Sequence, residues 1–230
     1  MKTIGILGGM SWESTAVYYR RLNELVQAAR GGVASAGIIL HSFDFDRIEH
    51  LQHEDKWDEL AILLTTAARG LKAAGADFLM IATNTMHLLA DRIETGADIP
   101  VIHIADAVAD AITEAGYTTV ALLGTRFTME QSFYTDRLKI RSGAESLIPD
   151  ETEREAIHRV IYTELCSGII RNESHDRIVA VINRLAEAGA QSAVLGCTEL
   201  PLLIHDGDAA IPVLDTTELH VQAAVRLALQ

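Results

Sequence analysis

One segment of this chain occurs twice, and the repetition constrains the fold more than any other feature. LKAAGADFLMIAT at Leu71–Thr83 lies without a gap over LAEAGAQSAVLGC at Leu185–Cys197. In each copy an apolar helix end runs into a glycine turn and then into an apolar stretch, so each reads as helix, turn and buried strand. The same approximate offset lays Ile4–Gly8 (IGILG) over Val120–Gly124 (VALLG), and Pro100, Val101 and Ile102 over Pro212, Val213 and Leu214. Three matches in one order, about half a chain apart, predict a duplicated domain.

Short runs rich in Ile, Val and Leu alternate with helical-period segments, the pattern of a parallel sheet covered on both faces. Strands are expected at Thr3–Leu7, Gly37–His41, Phe78–Ala82, Val101–Ile104, Thr119–Leu123, Ala193–Gly196 and Pro212–Leu214. Helices are expected over Trp12–Arg30, Lys56–Ala74, Ile104–Ala115, Thr128–Leu138, Glu151–Ser167, His175–Ala188 and Thr217–Leu229. The expected fold is therefore α/β, with two pseudo-symmetric domains, each a mainly parallel sheet flanked by helices, and the active site in the cleft between them. Residues 1–100 with 211–230 are assigned to the first domain and 101–210 to the second.

With 49% hydrophobic residues in 230, the chain can bury substantial cores. Its net charge of -13 repels phosphate backbones and anionic lipid, which argues against nucleic acid and membrane surfaces as partners. An acidic small substrate would need a local cationic or amide-rich pocket. Thr3–Gly9 is too short for a signal-peptide core, and the two cysteines, Cys166 and Cys197, form no CxxC pair, so a reduced, cytoplasmic chain is expected. A homodimer is compatible with an enzyme of this size.

Parallel α/β sheets bind ligands at the carboxyl ends of their strands. Gly8 and Gly9, Thr83 to Thr85, Gly124 and Thr125, and Cys197 to Glu199 all fall where a strand hands over to a loop or helix. Were the halves to face each other, Thr83 and Cys197 would approach one carbon from opposite sides, which suits inversion. A cysteine can remove an α-proton when nearby dipoles or charges make its thiolate available, and the segment Thr198–Leu203 is expected to supply a helix N-terminus for Cys197. Glu199 reads either as a proton partner or ammonium binder, or as a helix-start carboxylate. Asn84, Thr85, Thr125 and Thr198 read either as carboxylate-cradling groups or as caps.

Cys166 falls on the apolar face Ile157, Val160, Ile161, Leu165 and is expected in the core. His87 and His103 have no metal-ligand spacing and are expected to be structural or to support the site from behind, with no metal bound. Gly8 and Gly9 lack both the GxGxxG spacing and a Walker lysine, so close backbone approach to a small ligand is expected there. None of Lys2, Lys56, Lys72 and Lys139 comes after a cleft strand, which argues against a pyridoxal phosphate Schiff base.

GILGGMSWEST at Gly5–Thr15, TNTMH at Thr83–His87, LGTRFT at Leu123–Thr128, GCTE at Gly196–Glu199 and PVLDTT at Pro212–Thr217 together resemble the aspartate/glutamate racemase family, essentially end to end. The resemblance implies an amino-acid racemase without cofactor, acting on aspartate and/or glutamate. Family members carry one cysteine per half, as CNT and GCT; here Cys197 stands at the second position and Thr83 at the first, making this an atypical variant. By similarity to glutamate racemases, the second-half cysteine handles the α-proton of the L-isomer, which implies a preference for L-substrates. Thr83 would then return a proton directly or through water. Carried over by position, Met10, Gln52, Asn84, Thr85, Thr125, Thr198 and Glu199 match segments near the substrate. Arg171 resembles the family's basic residue for a side-chain carboxylate, with Arg47 as a weaker candidate. Two other readings fit the missing first cysteine: an arylmalonate-type decarboxylase using one thiol, and an amino-acid-binding protein without turnover.

Overall fold

The computed structural model describes residues 1–230 and divides the chain into two compact units, Met1–His103 with His220–Gln230, and Ile104–Leu219. In the first unit, β1 (Ile4–Gly8) leads to α1 (Trp12–Arg30), β2 (Ile38–Ser42), α2 (Phe45–His53), α3 (Trp57–Ala73) and β3 (Phe78–Ile81). A 3-10 turn at Thr85–Leu89, α4 (Ala90–Ala97) and β4 (Val101–Ile102) complete it up to the boundary. The second unit runs through α5 (Ile104–Ala115), β5 (Thr119–Gly124), α6 (Arg126–Glu130), α7 (Ser132–Ser142), β6 (Glu145–Leu147) and α8 (Glu151–Thr163). It continues through a 3-10 turn at Leu165–Ser167, α9 (Asn172–Glu187), β7 (Ser192–Gly196), a 3-10 turn at Leu200–Leu202 and β8 (Val213–Asp215). The last helix, α10 (Thr216–Ala228), begins in the second unit and ends in the first.

Both sheets are parallel and share one strand order, β2-β1-β3-β4 in the first and β6-β5-β7-β8 in the second. The registers repeat as well. Leu7 pairs with Ile81 as Leu123 pairs with Leu195, and Leu79 pairs with Val101 as Ala193 pairs with Val213. Even the turns repeat: the Ala76 N–H donates to Leu71 O as Ala190 does to Leu185, and Leu79 donates to Pro100 O as Ala193 does to Pro212. The duplication read from the sequence is thus carried bond by bond in the backbone. Thr83 and Cys197 each stand two residues beyond equivalent registered pairs.

Strand alternation distributes the core to both faces of each sheet. Ile4, Ile6, Phe78 and Met80 pack with Tyr18, Leu22 and Val26 of α1 and Val221 and Ala224 of α10, whereas Leu7, Leu79 and Ile81 pack with α2, α3 and α4. In the second unit Val120, Leu122 and Val194 meet α5 and α7; Ala121, Leu123, Ala193, Leu195 and Cys197 meet α8 and α9. Full burial of β1, β3 and β7 explains why those strands read as unbroken apolar runs rather than alternating ones.

The unit boundaries differ from those expected. Val213–Asp215 belongs to the second unit because it pairs with β7, and Val101–Ile102 belongs to the first because it pairs with β3. The strand expected to reach Ile104 stops at Ile102, since Ile104 opens α5. The single helix expected over Thr128–Leu138 is two, broken at Gln131, whose ψ of 138° is extended. The helix expected to run to Ser167 loses its α geometry after Thr163. α2, α4 and β6 were not expected. No helix is long and apolar enough to cross a membrane.

Candidate functional site

Two clusters of the expected residues form, one at the strand ends of each unit. In the second, Cys197 comes directly after the last residue of β7 and is buried with Thr198 and Glu199. The Cys197 thiol donates to Glu199 Oε2 at 3.0 Å, and the Thr198 hydroxyl donates to the same oxygen at 3.0 Å. Burial pushes the Cys197 thiol well above its ordinary range, and the Glu199 carboxylate pushes it the same way by charge and by accepting its proton; the Glu199 N–H opposes them weakly. The helix dipole expected to release a thiolate is therefore overruled. Beyond Cys197 the chain makes only a single 3-10 turn of three residues, and the nearest full charge is negative. At rest Cys197 is a thiol in contact with a base.

Close backbone approach makes this corner possible. A Cβ on Gly196 would lie 2.9 Å from Leu123 O and 3.1 Å from Thr128 Cγ2, and one on Gly124 would lie 2.6 Å from Gly196 O. The paired glycines thus let β5 and β7 end side by side, bringing Thr125 to the strand end next to that of Cys197. Thr125 caps α6 by accepting the Thr128 N–H at 3.4 Å, so its capping reading is realised. The sequence reading missed Thr216. Its hydroxyl donates to Leu195 O at 2.9 Å, fixing the end of β7 two residues before Cys197. Thr217 beside it is buried, with its hydroxyl unpartnered. The DTT run after an expected strand was the available signal for both.

In the first unit, half-buried Thr83 lies just past β3, with Asn84 and Thr85 buried behind it and Met10 buried beyond β1. The Ala82 N–H donates to Leu7 O, joining the two strand ends. Gly9, at φ 82°, turns its backbone against Phe43 where a side chain would not fit, and its N–H donates to Thr15 Oγ1 at 2.8 Å. Gln52, on α2, is buried with its Oε1 unpartnered, a polar atom for which the fold supplies no internal donor.

Arg171 is exposed at the start of α9, with Nε 3.8 Å from Glu164 Oε2, and Arg47 is exposed on α2. Cys166 is half-buried against the apolar cluster that includes Cys197. His87 and His103 are buried beside each other, ring centroids 4.6 Å apart. Lys56, Lys72 and Lys139 sit in exposed ion pairs with Glu54, Asp98 and Glu145. No three His, Cys, Asp or Glu side chains group to hold a metal ion.

A duplicated parallel α/β chain that ends one strand in a thiol on a carboxylate, and the equivalent strand in a hydroxyl, has the make-up of an isomerase. The chain belongs to the Asp/Glu/hydantoin racemase family, whose model matches residues 7–224. A solved protein from Yersinia pestis, assigned as an Asp/Glu racemase, is 50% identical over the full length of both chains, with a TM-score of 0.93. An aspartate racemase homologue from Pyrococcus horikoshii OT3 is 36% identical over the full length of both, with a TM-score of 0.87. The broad specificity amino-acid racemase RacX of Bacillus subtilis is 24% identical over 96% of each chain.

Proposed function

We propose that the protein racemises acidic amino acids, aspartate and/or glutamate, with preference for the L-isomer, by cofactor-independent α-proton transfer through Cys197. The observation that carries the proposal is the Cys197 thiol donating to Glu199. A thiol held on a carboxylate can pass its proton to Glu199, and the thiolate so formed can take the α-proton of the L-substrate, leaving a carbanion and a re-formed thiol. Thr198 steadies the carboxylate by donating to the oxygen that receives the proton. Thr83, at the equivalent strand end of the first unit, serves the other face of Cα as proton donor, directly or through water; solvent then returns a proton to the Thr83 side and takes from Glu199 the one it had accepted, restoring the resting thiol and carboxylate. Met10, Gln52, Asn84, Thr85 and Thr125 supply polar and backbone groups for the α-carboxylate and ammonium, with Arg171 on the distal carboxylate.

The test is incubation with a panel of L- and D-amino acids in deuterium oxide, with NMR of the α-proton and chiral analysis as readouts. Exchange confined to neutral amino acids, or absent throughout, refutes the proposal. The elevated pKa of Cys197 also fits a single-thiol decarboxylase, because a thiol protonated at rest is suited to quenching a carbanion. Carbon dioxide release from an α-aryl malonate, without α-proton exchange in amino acids, would favour that reading.

A further inference from the structure

Four aromatic side chains stand packed behind Thr83 in the first unit, and carbonyl groups fix two of their tautomers. His87 Nδ1 lies 2.8 Å from Thr83 O, and His220 Nε2 lies 2.9 Å from Ile102 O. A carbonyl only accepts, so each of these nitrogens carries a proton. His220 Nδ1 is then the acceptor for the Tyr18 hydroxyl at 2.9 Å. Burial holds His220 down to about 3, so it stays neutral across the physiological range and keeps both bonds. The His87 ring packs against both other imidazoles, 4.6 Å from that of His103 and 5.5 Å, edge-on, from that of His220. His87, His103 and His220 are each 5% exposed or less. They come from three places in the chain, the turn after β3, the end of β4 and α10, so the ring of His87 is held by elements independent of its own loop.

We propose that His87 is a positioning residue for Thr83, resting on the role proposed for Thr83 in proton return. The imidazole holds the Thr83 carbonyl and with it the peptide plane between Thr83 and Asn84, which sets the direction in which both side chains leave the backbone. Two backbone bonds of this turn are local, from the Thr83 N–H to Ile81 O and from the His87 N–H to Asn84 O. The imidazole adds a tie of another kind, because its ring is clamped from outside the turn. The equivalent position in the second unit is Pro201, so the brace belongs to the Thr83 side alone. A misplacement of about 1 Å at a reacting group costs on the order of 10²-fold in rate, ample for such a brace to matter.

The test compares three variants of the whole protein in deuterium oxide. In His87→Asn the amide nitrogen replaces Nδ1 as donor; in His87→Gln the donor moves toward the Nε2 position; in His87→Leu there is none. Net inversion should fall by about 10-fold or more in Gln and Leu and recover to within about threefold of wild type in Asn, while α-proton exchange of the L-isomer, the work of Cys197, stays within about threefold throughout. Equal loss of exchange and inversion, or an Asn variant no better than Leu, would overturn the proposal. Amide hydrogen exchange across Thr83–His87 supplies a readout independent of turnover. Protection should fall in Gln and Leu and persist in Asn, and unchanged protection in Leu would overturn the brace. A wild-type protein inert towards every amino acid would instead sink the racemase assignment and leave the brace to the amide measurement.

Discussion

Glu199→Gln separates the two things that the carboxylate does to Cys197. The carboxylate accepts two side-chain donors, each at 3.0 Å, from Cys197 and Thr198. Hydrogen bonds to a charged group are worth about 1.5–3 kcal/mol against about 0.5–1.5 for neutral pairs, so neutralising the acceptor forfeits on the order of 1 kcal/mol per bond, about 2 in all. Relief from burying a charge offsets part of that. The fold should therefore survive with a melting temperature lower by only a few degrees. Chemistry should suffer far more, because a general base contributes typically about 10²–10⁴-fold, or roughly 3–5 kcal/mol of barrier. Thiol acidity should move in the direction opposite to activity. Glu199 raises the Cys197 pKa by charge and by hydrogen bonding, so its removal lowers that pKa towards, though not to, the ordinary range, since burial remains. Alkylation with iodoacetamide, read by intact mass from pH 6 to 11 and with Cys166→Ala in the background, should show the midpoint for Cys197 shifted down in the Gln variant. More accessible thiolate with at least about 100-fold less α-proton exchange would identify Glu199 as the proton acceptor. Exchange retained within threefold, or an alkylation midpoint that rises, would refute the reasoning.

Cys197→Ser should abolish α-proton exchange, by about 10²-fold or more, with an unchanged circular dichroism spectrum, because a hydroxyl cannot replace the thiolate; a Ser variant with most of the wild-type turnover would remove Cys197 from the mechanism. Thr83→Cys should raise exchange from the D-isomer and net racemisation together, as measured by chiral chromatography, and no gain in either would exclude Thr83 from the second face. Arg171→Ala should raise KM for aspartate and glutamate more than for alanine or serine in steady-state assays, and an equal effect on both classes would count against a distal-carboxylate role. His175, on α9, pairs with Asp176 at 3.0 Å and with Asp208 at 3.2 Å; both raise its pKa above 6.5, so the clamp it makes to the 205–208 turn is complete below that value and is lost as pH rises through the folded pKa. Amide exchange at the start of α9 should accelerate over that rise in wild type and be insensitive to pH, after correction for intrinsic rates, in His175→Gln.

Elements are legible from residues alone where the information that specifies them is local. α1 is bounded by a Ser11 cap accepting the Ser14 N–H and by Gly31 at φ 76°, both visible as letters, and its expected span matches the observed one. β6 was illegible because Glu145–Leu147 is a three-residue edge strand, partly exposed, with no apolar run of its own. α2 has an Asp44 cap, but it buries only Ile48, Leu51 and Gln52, too sparse a stripe to stand out among charged neighbours. At the site, residue types and strand-end positions were legible for Cys197, Thr198, Glu199 and Thr83. The sign of the Cys197 shift was not. It depends on which way the Glu199 side chain folds back and on how short the next turn is, and neither is written in the spacing Cys-Thr-Glu.

The repeat also shows where the two copies were free to diverge. Strand order, register up to Ile81 and Leu195, and the turn bonds before β3 and β7 are kept, whereas beyond those two residues almost nothing is: Ala82, Thr83, Asn84, Thr85 and His87 stand opposite Gly196, Cys197, Thr198, Glu199 and Pro201. The carbonyls of the equivalent residues Ile81 and Leu195 show the consequence. Leu195 O accepts the Thr216 hydroxyl from just past the neighbouring strand, so the end of β7 before Cys197 is tied laterally to the start of α10. Ile81 O accepts the Thr83 N–H two residues on, closing a tight local turn. The position equivalent to Thr216 is Ile104, which has no side-chain donor to offer. The first unit, lacking that lateral tie, obtains rigidity two residues later, at Thr83 O, from an imidazole. The role proposed for Cys197 calls for a carboxylate within reach and a fixed strand end, and the second unit has both. The role proposed for the Thr83 hydroxyl, returning a proton to one face, depends on placement, and the bonds around Thr83 supply placement.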